Sequence, residues 1–324
     1  MSTPPDRPTA SAIVACLNEE EVLEAFYART APIMDELFED WEIIFVDDGS
    51  TDRTAAILRE LHERDPRVRA VRLSRNFGSH VAIAAGLDTA RGEVAIVLAA
   101  DLQDPPEVMR EFLARWREGY EIVWAAREAR DDPLLRRMFA RVFYGLVRRT
   151  ALPGIPSTGT GSFCLLDHVV VEAFRKFQER NRLTFGIISW AGFSQAEVPY
   201  RRAPRQAGRS KWSVAQLVKV AVDTFVSFSY VPLRLISYFG FLVSTLSFVF
   251  GIYVILDYLA NGTGLRGWPS LMSAILFLGG IQLVTLGIVG EYVWRISEES
   301  KRRPLYLVRE RIESGEAVPA RLEG

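Results

Sequence analysis

The chain has 324 residues, enough for more than one average domain, and its formal charge of −1 hides an uneven distribution. Two segments, Pro133–Thr150 and Arg201–Lys211, each carry five basic residues and no acidic one, which suits nucleic acid or, equally, a membrane surface. Two cysteines 148 positions apart give no disulfide framework and three histidines show no HExxH spacing, so a cystine scaffold and a zinc site are excluded. The first residues, MSTPPDRPTAS, are polar and lack the apolar core of a signal peptide, so residues 1–10 are expected to be flexible and the N-terminal part cytosolic.

Ser11–Cys16 is the first predicted strand. Asn18, followed by Glu19, Glu20 and Glu21, could cap a helix at its positive end or line the mouth of a sheet. Trp41–Val46 is the second strand. It ends in Asp47-Asp48-Gly49-Ser50-Thr51-Asp52, more polar groups than capping requires, and so reads as a ligand site. Val68–Leu73 is a third strand, followed by Arg75 and an Ala-rich helix from about His80 to Ala90.

Val94–Leu98 is the fourth strand and runs into Ala99-Ala100-Asp101-Leu102-Gln103-Asp104. Pro105-Pro106-Glu107 then opens a helix, and Ile122–Ala126 is a fifth strand ending near Arg127. Strands alternating with helices imply an α/β domain with a mostly parallel sheet, whose ligands bind beyond the carboxyl ends of the strands. No GxGxxG or GxxxxGK[ST] is present. Carboxylates occupy the strand ends instead, so a metal must offset their repulsion of a diphosphate.

Pro133–Thr150 interleaves Arg with apolar residues at helical spacing, the pattern of an amphipathic helix lying on a membrane. Ser162–Leu166 is a further short strand. Val198–Trp212, with two prolines and a glycine among five cations, reads as a cationic loop, and 213–231 as a juxtamembrane amphipathic helix. Leu235–Leu256 and Gly267–Gly290 offer 22 and 24 uncharged residues, each long enough to span about 30 Å of hydrocarbon. Arg234 precedes the first span, and Arg295, Lys301, Arg302 and Arg303 follow the second. The positive-inside rule therefore predicts a hairpin (232–294) with both termini cytosolic. Gly279, Gly280, Gly287 and Gly290 would permit close helix packing and a homo-oligomer. Residues 295–324 are expected to form a C-terminal tail, loose after about Arg311.

With these motifs assembled, residues 11–310 resemble the polyprenyl-phosphate branch of glycosyltransferase family 2, the group of dolichol-phosphate mannosyltransferases and bacterial undecaprenyl-phosphate sugar transferases. The resemblance rests on Asn18-Glu19-Glu20, Val46-Asp47-Asp48-Gly49-Ser50, Asp101-Leu102-Gln103-Asp104-Pro105-Pro106, Arg202…Arg205…Gly208…Ser210-Lys211, and two closing spans ending in Arg302-Arg303-Pro304-Leu305-Tyr306. It implies a Rossmann-like GT-A domain over 11–212 and an inner-membrane, multi-pass protein. The implied activity is inverting transfer of a sugar from a nucleotide-sugar donor, a UDP-sugar by preference, to a polyprenyl phosphate. The implied partners are lipid bilayer and no nucleic acid, and the implied cofactor is Mg²⁺ or Mn²⁺.

By the same resemblance, Asn18, Glu20, Asp47 and Asp48 hold base and ribose. Asp101 binds the metal, Gln103 and Asp104 support metal and donor, and Arg127 meets a donor phosphate. Tyr200, Arg202, Arg205, Ser210 and Lys211 close over the donor and hold the lipid phosphate, with Asp101, Arg202 and Arg205 central to catalysis. The chain departs from the family at Ala99, where relatives have the first acid of a DxD, and at Gly159 and Ser162, where relatives often have acids. Two other readings stand beside this one. A processive polysaccharide synthase would need a QxxRW motif, but here Phe112 stands where the Gln is needed, three positions before the only Arg-Trp pair, Arg115-Trp116. A degenerate nucleotide-binding scaffold is suggested by Ala99, Gly159 and Ser162.

Overall fold

A computed structural model of the chain describes residues 7–127, 163–177, 183–201, 231–261, 267–313 and 318–319, together with Pro5, Gly145 and Glu179. It divides into two units, one made of residues 1–213 and 303–324, the other of 214–302.

The first unit is built on a nine-stranded sheet. Its strands are β1 (Ala10–Cys16), β2 (Trp41–Asp47), β3 (Val68–Leu73), β4 (Val94–Ala99), β5 (Ile122–Arg127), β6 (Cys164–Asp167), β7 (Gln195–Tyr200), β8 (Val308–Ile312) and β9 (Val318–Pro319), in the order β7-β5-β6-β4-β1-β2-β3-β8-β9. The helices are α1 (Leu23–Leu37), α2 (Thr54–Arg64), α3 (Ser79–Thr89), α4 (Met109–Arg117, after a 3₁₀ turn at Pro106–Val108), α5 (His168–Arg175) and α6 (Thr184–Trp190). β1, β2 and β4 are almost wholly buried apolar runs, as strands covered on both faces must be. Gly92 lets the turn before β4 pass β1, since a Cβ there would stand 2.6 Å from the carbonyl carbon of Ala10.

The mostly parallel reading holds. β1 pairs in parallel with β2 and β4, and β2 with β3. β6 enters between β4 and β5 and is antiparallel to both, so β5 and β7 run in the direction of β4. β1 to β5 and β7 thus turn their carboxyl ends to the same edge of the sheet.

Four local expectations are corrected. Asn18 is not a helix cap: its φ is 53° and α1 begins five residues later, at Leu23. The flexible start is shorter than expected, because Arg7 Nη2 donates to the carbonyls of Asp35 and Phe38 and Thr9 N donates to Glu93 Oε2. The loop expected from Val198 begins only after Tyr200. Pro199 is compatible with β7 because among the described residues this is an edge strand paired only to β5, where a missing N–H on the open side costs no ladder bond. The expected C-terminal tail returns to the sheet: β8 pairs antiparallel with β3 and places Ile312 in the core. Arg59 clamps Glu310 with a two-pronged ion pair, and Arg69 bridges Glu42 and Glu313.

The second unit contains helices α7 (Val231–Asn261) and α8 (Trp268–Ser300) of 31 and 33 residues, about 46 and 50 Å long at 1.5 Å per residue. Each is long and apolar enough to cross a membrane, and Phe241, Phe250, Leu283 and Val284 are exposed on them. The expected amphipathic helices at 133–150 and 213–231 lie almost entirely outside the described residues.

Candidate functional site

The candidate site lies along the carboxyl edge of the sheet. In strand order it meets Tyr200 on β7, Arg127 on β5, Asp101 after β4, Asn18 after β1, and Asp47 and Asp48 at the end of β2. Register aligns these ends, with Arg127 opposite Tyr200, Ala15 opposite Ala99, and Cys16 opposite Asp47. At roughly 4.8 Å between strands, β7 to β2 spans about 24 Å.

At the β1–β2 end the polar loops are stapled to each other. Asn18 N donates to Ser50 Oγ at 2.9 Å, Thr51 N donates to Asn18 Oδ1 at 2.9 Å, and Arg53 N donates to Glu20 Oε2 at 3.0 Å. Asp47 Oδ1 accepts from Ser50 N at 2.8 Å, and its Oδ2 lies 3.2 Å from Arg72 Nε. Asp48 accepts from Phe77 N and Gly78 N, one on each carboxylate oxygen, at 2.7 and 2.9 Å. Burial raises the Asp48 pKa above the usual carboxylate value, against the pull of those two N–H groups.

The adjacent acids therefore do not simply repel: each is compensated by a different loop. Gly49 makes this possible. Its φ is 79°, and a Cβ would stand 2.6 Å from the Arg75 carbonyl carbon. Arg75 lies with its guanidinium 4.1 Å over the Phe77 ring. Beneath this end, the Cys16 thiol is buried and pushed well up by burial and by the charges of Asp47, Glu19, Asp52 and Asp48, which leaves it inert as a nucleophile.

At the end of β4, Gln103 N donates to Asp101 Oδ1 at 3.2 Å, closing a turn about Leu102. Leu102 has φ 55°, an uncommon conformation for a non-glycine residue. Gln103 and Asp104 are buried, whereas Asp101 is half-buried. Among the described residues no group of three or more His, Cys, Asp or Glu could hold a metal by itself. One half-buried carboxylate suits an ion shared with a substrate's phosphate oxygens and water, an arrangement Mg²⁺ commonly adopts.

The β5–β7 end brings together residues that the sequence reading assigned to separate tasks. Tyr200 Oη donates to Asp104 Oδ1 at 2.6 Å and accepts from Arg127 Nε at 3.2 Å. Asp104 and Tyr200 are 2% and 4% exposed. The Tyr200 ring packs edge-on against Phe163, 5.9 Å between centroids, and Phe163 packs on Phe112. Burial and the Asp104 carboxylate push the Tyr200 phenol up to about 12, so it remains a donor. The signal missing from the sequence was the parallel pairing of β5 with β7, two strands about 70 residues apart. Arg202, Arg205, Ser210 and Lys211, and likewise Gly159 and Ser162, lie outside the described residues. The Arg-Trp pair of the synthase alternative sits in α4, where Arg115 pairs with Glu118 and Trp116 Nε1 donates to Asp167.

The sequence model of glycosyl transferase family 2 matches residues 11–175, and that of the GtrB C-terminal hairpin matches 231–296. An uncharacterized glycosyltransferase, sll0501, of Synechocystis is 42% identical over 92% of this chain and 94% of its own length. A bactoprenol glucosyl transferase of Shigella phage SfV is 40% identical over 92% of this chain and 97% of its own. The solved glucosyl-3-phosphoglycerate synthase of Mycobacterium tuberculosis is 17% identical, with a TM-score of 0.45, covering 68% of this chain and 78% of that one.

Proposed function

The chain belongs to glycosyl transferase family 2, and from that premise we propose that it moves a sugar from a nucleotide-diphosphate donor, by preference a UDP-sugar, to a polyprenyl phosphate at the cytosolic face of a membrane. The observation that carries this reading is the edge of the sheet itself. Asn18, Glu20, Asp47 and Asp48 stand at one end, Asp101 in the middle and Arg127 at the other, a row long enough for base, ribose, diphosphate and sugar in turn. The relative named for bactoprenol glucosyl transfer supports the choice of acceptor.

The acceptor phosphate has a second pKa near 6 and is mostly dianionic at neutral pH. Its oxygen needs no base: it attacks the anomeric carbon in line, the new C–O bond forms as the bond to the diphosphate oxygen breaks, and the configuration inverts. The departures at Gly159 and Ser162 are therefore compatible with catalysis. Arg202, Arg205 and Lys211 are assigned to hold the attacking phosphate and screen it from the donor, a task suited to guanidinium forks and ammonium charge. Ser210 is assigned to the same loop contact. Asp101, with diphosphate oxygens and water, would hold Mg²⁺ or Mn²⁺, which would neutralise charge on the leaving group.

Helices α7 and α8 are assigned to cross the bilayer as a hairpin. We assign both ends of the hairpin to one side of the bilayer, a reading supported by residues on both sides of it, 7–201 and 308–312, joining one sheet. The cations flanking the spans put that side in the cytosol.

Purified protein with undecaprenyl phosphate, Mn²⁺ and a panel of UDP-glucose, UDP-N-acetylhexosamines and GDP-mannose tests the activity. Transfer from one donor, lost in Asp101→Asn and Arg202→Ala, is expected. Wild-type turnover in both variants, or metal-dependent nucleotide binding with no transfer from any donor, would overturn it.

A further inference from the structure

Tyr200 is the last residue of β7 and stands directly before the cationic segment 201–211. Its backbone is fixed by pairing with β5, Arg127 opposite Tyr200. Its ring rests on Phe163, the first described residue after the segment containing Gly159 and Ser162. Its hydroxyl joins Asp104, at the end of the Asp101–Asp104 turn, to Arg127. One side chain thus touches the donor-side turn and the end of β5, and stands at the root of the segment assigned to the acceptor side.

We propose that Tyr200 and Asp104 are positioning residues: the buried Tyr200–Asp104 hydrogen bond anchors the root of the 201–211 segment to the Asp101 turn and so sets the distance between acceptor phosphate and donor. This rests on the activity proposed above and revises two assignments within it. Tyr200 acts through Asp104 and not on the lipid phosphate, and Asp104 holds Tyr200 while Asp101 meets the metal. The geometry favours this division. A hydroxyl at 2.6 Å from one carboxylate oxygen has spent its only proton and has none to give a phosphate. At 4% exposure the ring has little room to swing toward a lipid headgroup. Arg127 is half-buried and donates to Tyr200 Oη through Nε, a contact that does not use the terminal nitrogens with which a guanidinium meets a phosphate.

Tyr200→Phe, Asp104→Leu (near-isosteric, with no acceptor) and the double variant are compared with wild type in detergent, using UDP-glucose and undecaprenyl phosphate as probes. Each single variant is expected to lower kcat/KM for the lipid phosphate about tenfold or more, the scale of one hydrogen bond to a charged group. UDP affinity with Mn²⁺, read by calorimetry, should change less than about threefold. The double variant should lose no more than the worse single, because both remove the same bond. Tryptic cleavage within Arg201–Lys211 should quicken in all three. Equal losses toward donor and acceptor, multiplied losses in the double, or unchanged cleavage with wild-type transfer would overturn the anchor. Should the wild type transfer nothing, the proposed activity fails, and UDP affinity together with cleavage rate still decides whether the bond anchors the segment.

Discussion

Gly49→Ala tests whether the Asp47–Asp48 turn is held by backbone fit. At φ 79° an alanine costs about 1–2 kcal/mol in local strain. The new Cβ would also lie 2.6 Å from Arg75 C, 2.8 Å from Asn76 N and 2.9 Å from Arg75 Cα. All three are main-chain atoms, so no side-chain rotation relieves the clash, and overpacking of this kind adds about 1–3 kcal/mol. Gly119→Ala supplies the control, since φ there is 98° and nothing lies within 4 Å of the added carbon. It carries the strain without the clash. The difference, about 1–3 kcal/mol, corresponds to roughly 3 to 10 °C in melting temperature for a domain of this size. The segment pushed away, Arg75–Gly78, is the one whose N–H groups hold Asp48, so UDP affinity should fall in Gly49→Ala and stay unchanged in Gly119→Ala. Thermal melting by circular dichroism and calorimetric UDP titration provide the readouts. Equal melting and equal UDP affinity in the two variants would refute the reasoning.

The returning C-terminal strand should matter in proportion to burial. Arg69→Met removes a cation only 8% exposed from between Glu42 and Glu313, which keep weaker partners in Ser11, Arg91 and Arg311, and should cost about 3 kcal/mol, whereas Arg59→Ala, at the more exposed Glu310 pair, should cost about 1 kcal/mol or less; chemical denaturation ranks them. Ending the chain before Val308 uncovers the β3 edge and should give an aggregating protein by size-exclusion chromatography; a monodisperse product melting as wild type would count against it. Asp65 is raised by burial but lowered more by hydrogen bonds from Arg67 and Tyr27, so its net pKa lies below the usual value. A depressed carboxylate stabilises the fold above its unfolded pKa of about 3.9 and loses that stabilisation as pH falls through the folded value. The melting gap between wild type and Asp65→Asn should accordingly be level from neutral pH down to about pH 5 and narrow below about pH 4.

The sequence determined the inner strands of the sheet and the spans. Val68–Leu73 coincides with β3, and β1, β2, β4 and β5 differ from expectation by a residue at most at either end, because each is a short, mostly apolar run bounded by polar turns. The acids at those strand ends, and the two long apolar helices, were legible for the same reason: each is a local contrast in polarity. What tertiary structure decided is what local contrast cannot encode. The sequence of β8, VRERI, sets three consecutive charges between two apolar residues and reads as a solvated tail until β3 offers an edge to pair with. β7 carries a proline that is acceptable because, among the described residues, no strand lies beyond it. Asn18 reads as a cap until Ser50 and Thr51, over 30 residues away, take its backbone and side chain. Tyr200, Asp104 and Arg127 were each marked, but their union depends on β5 and β7 being neighbours. Long-range pairing is a choice among many closures of similar entropy, settled by the whole core and not by the residues that meet.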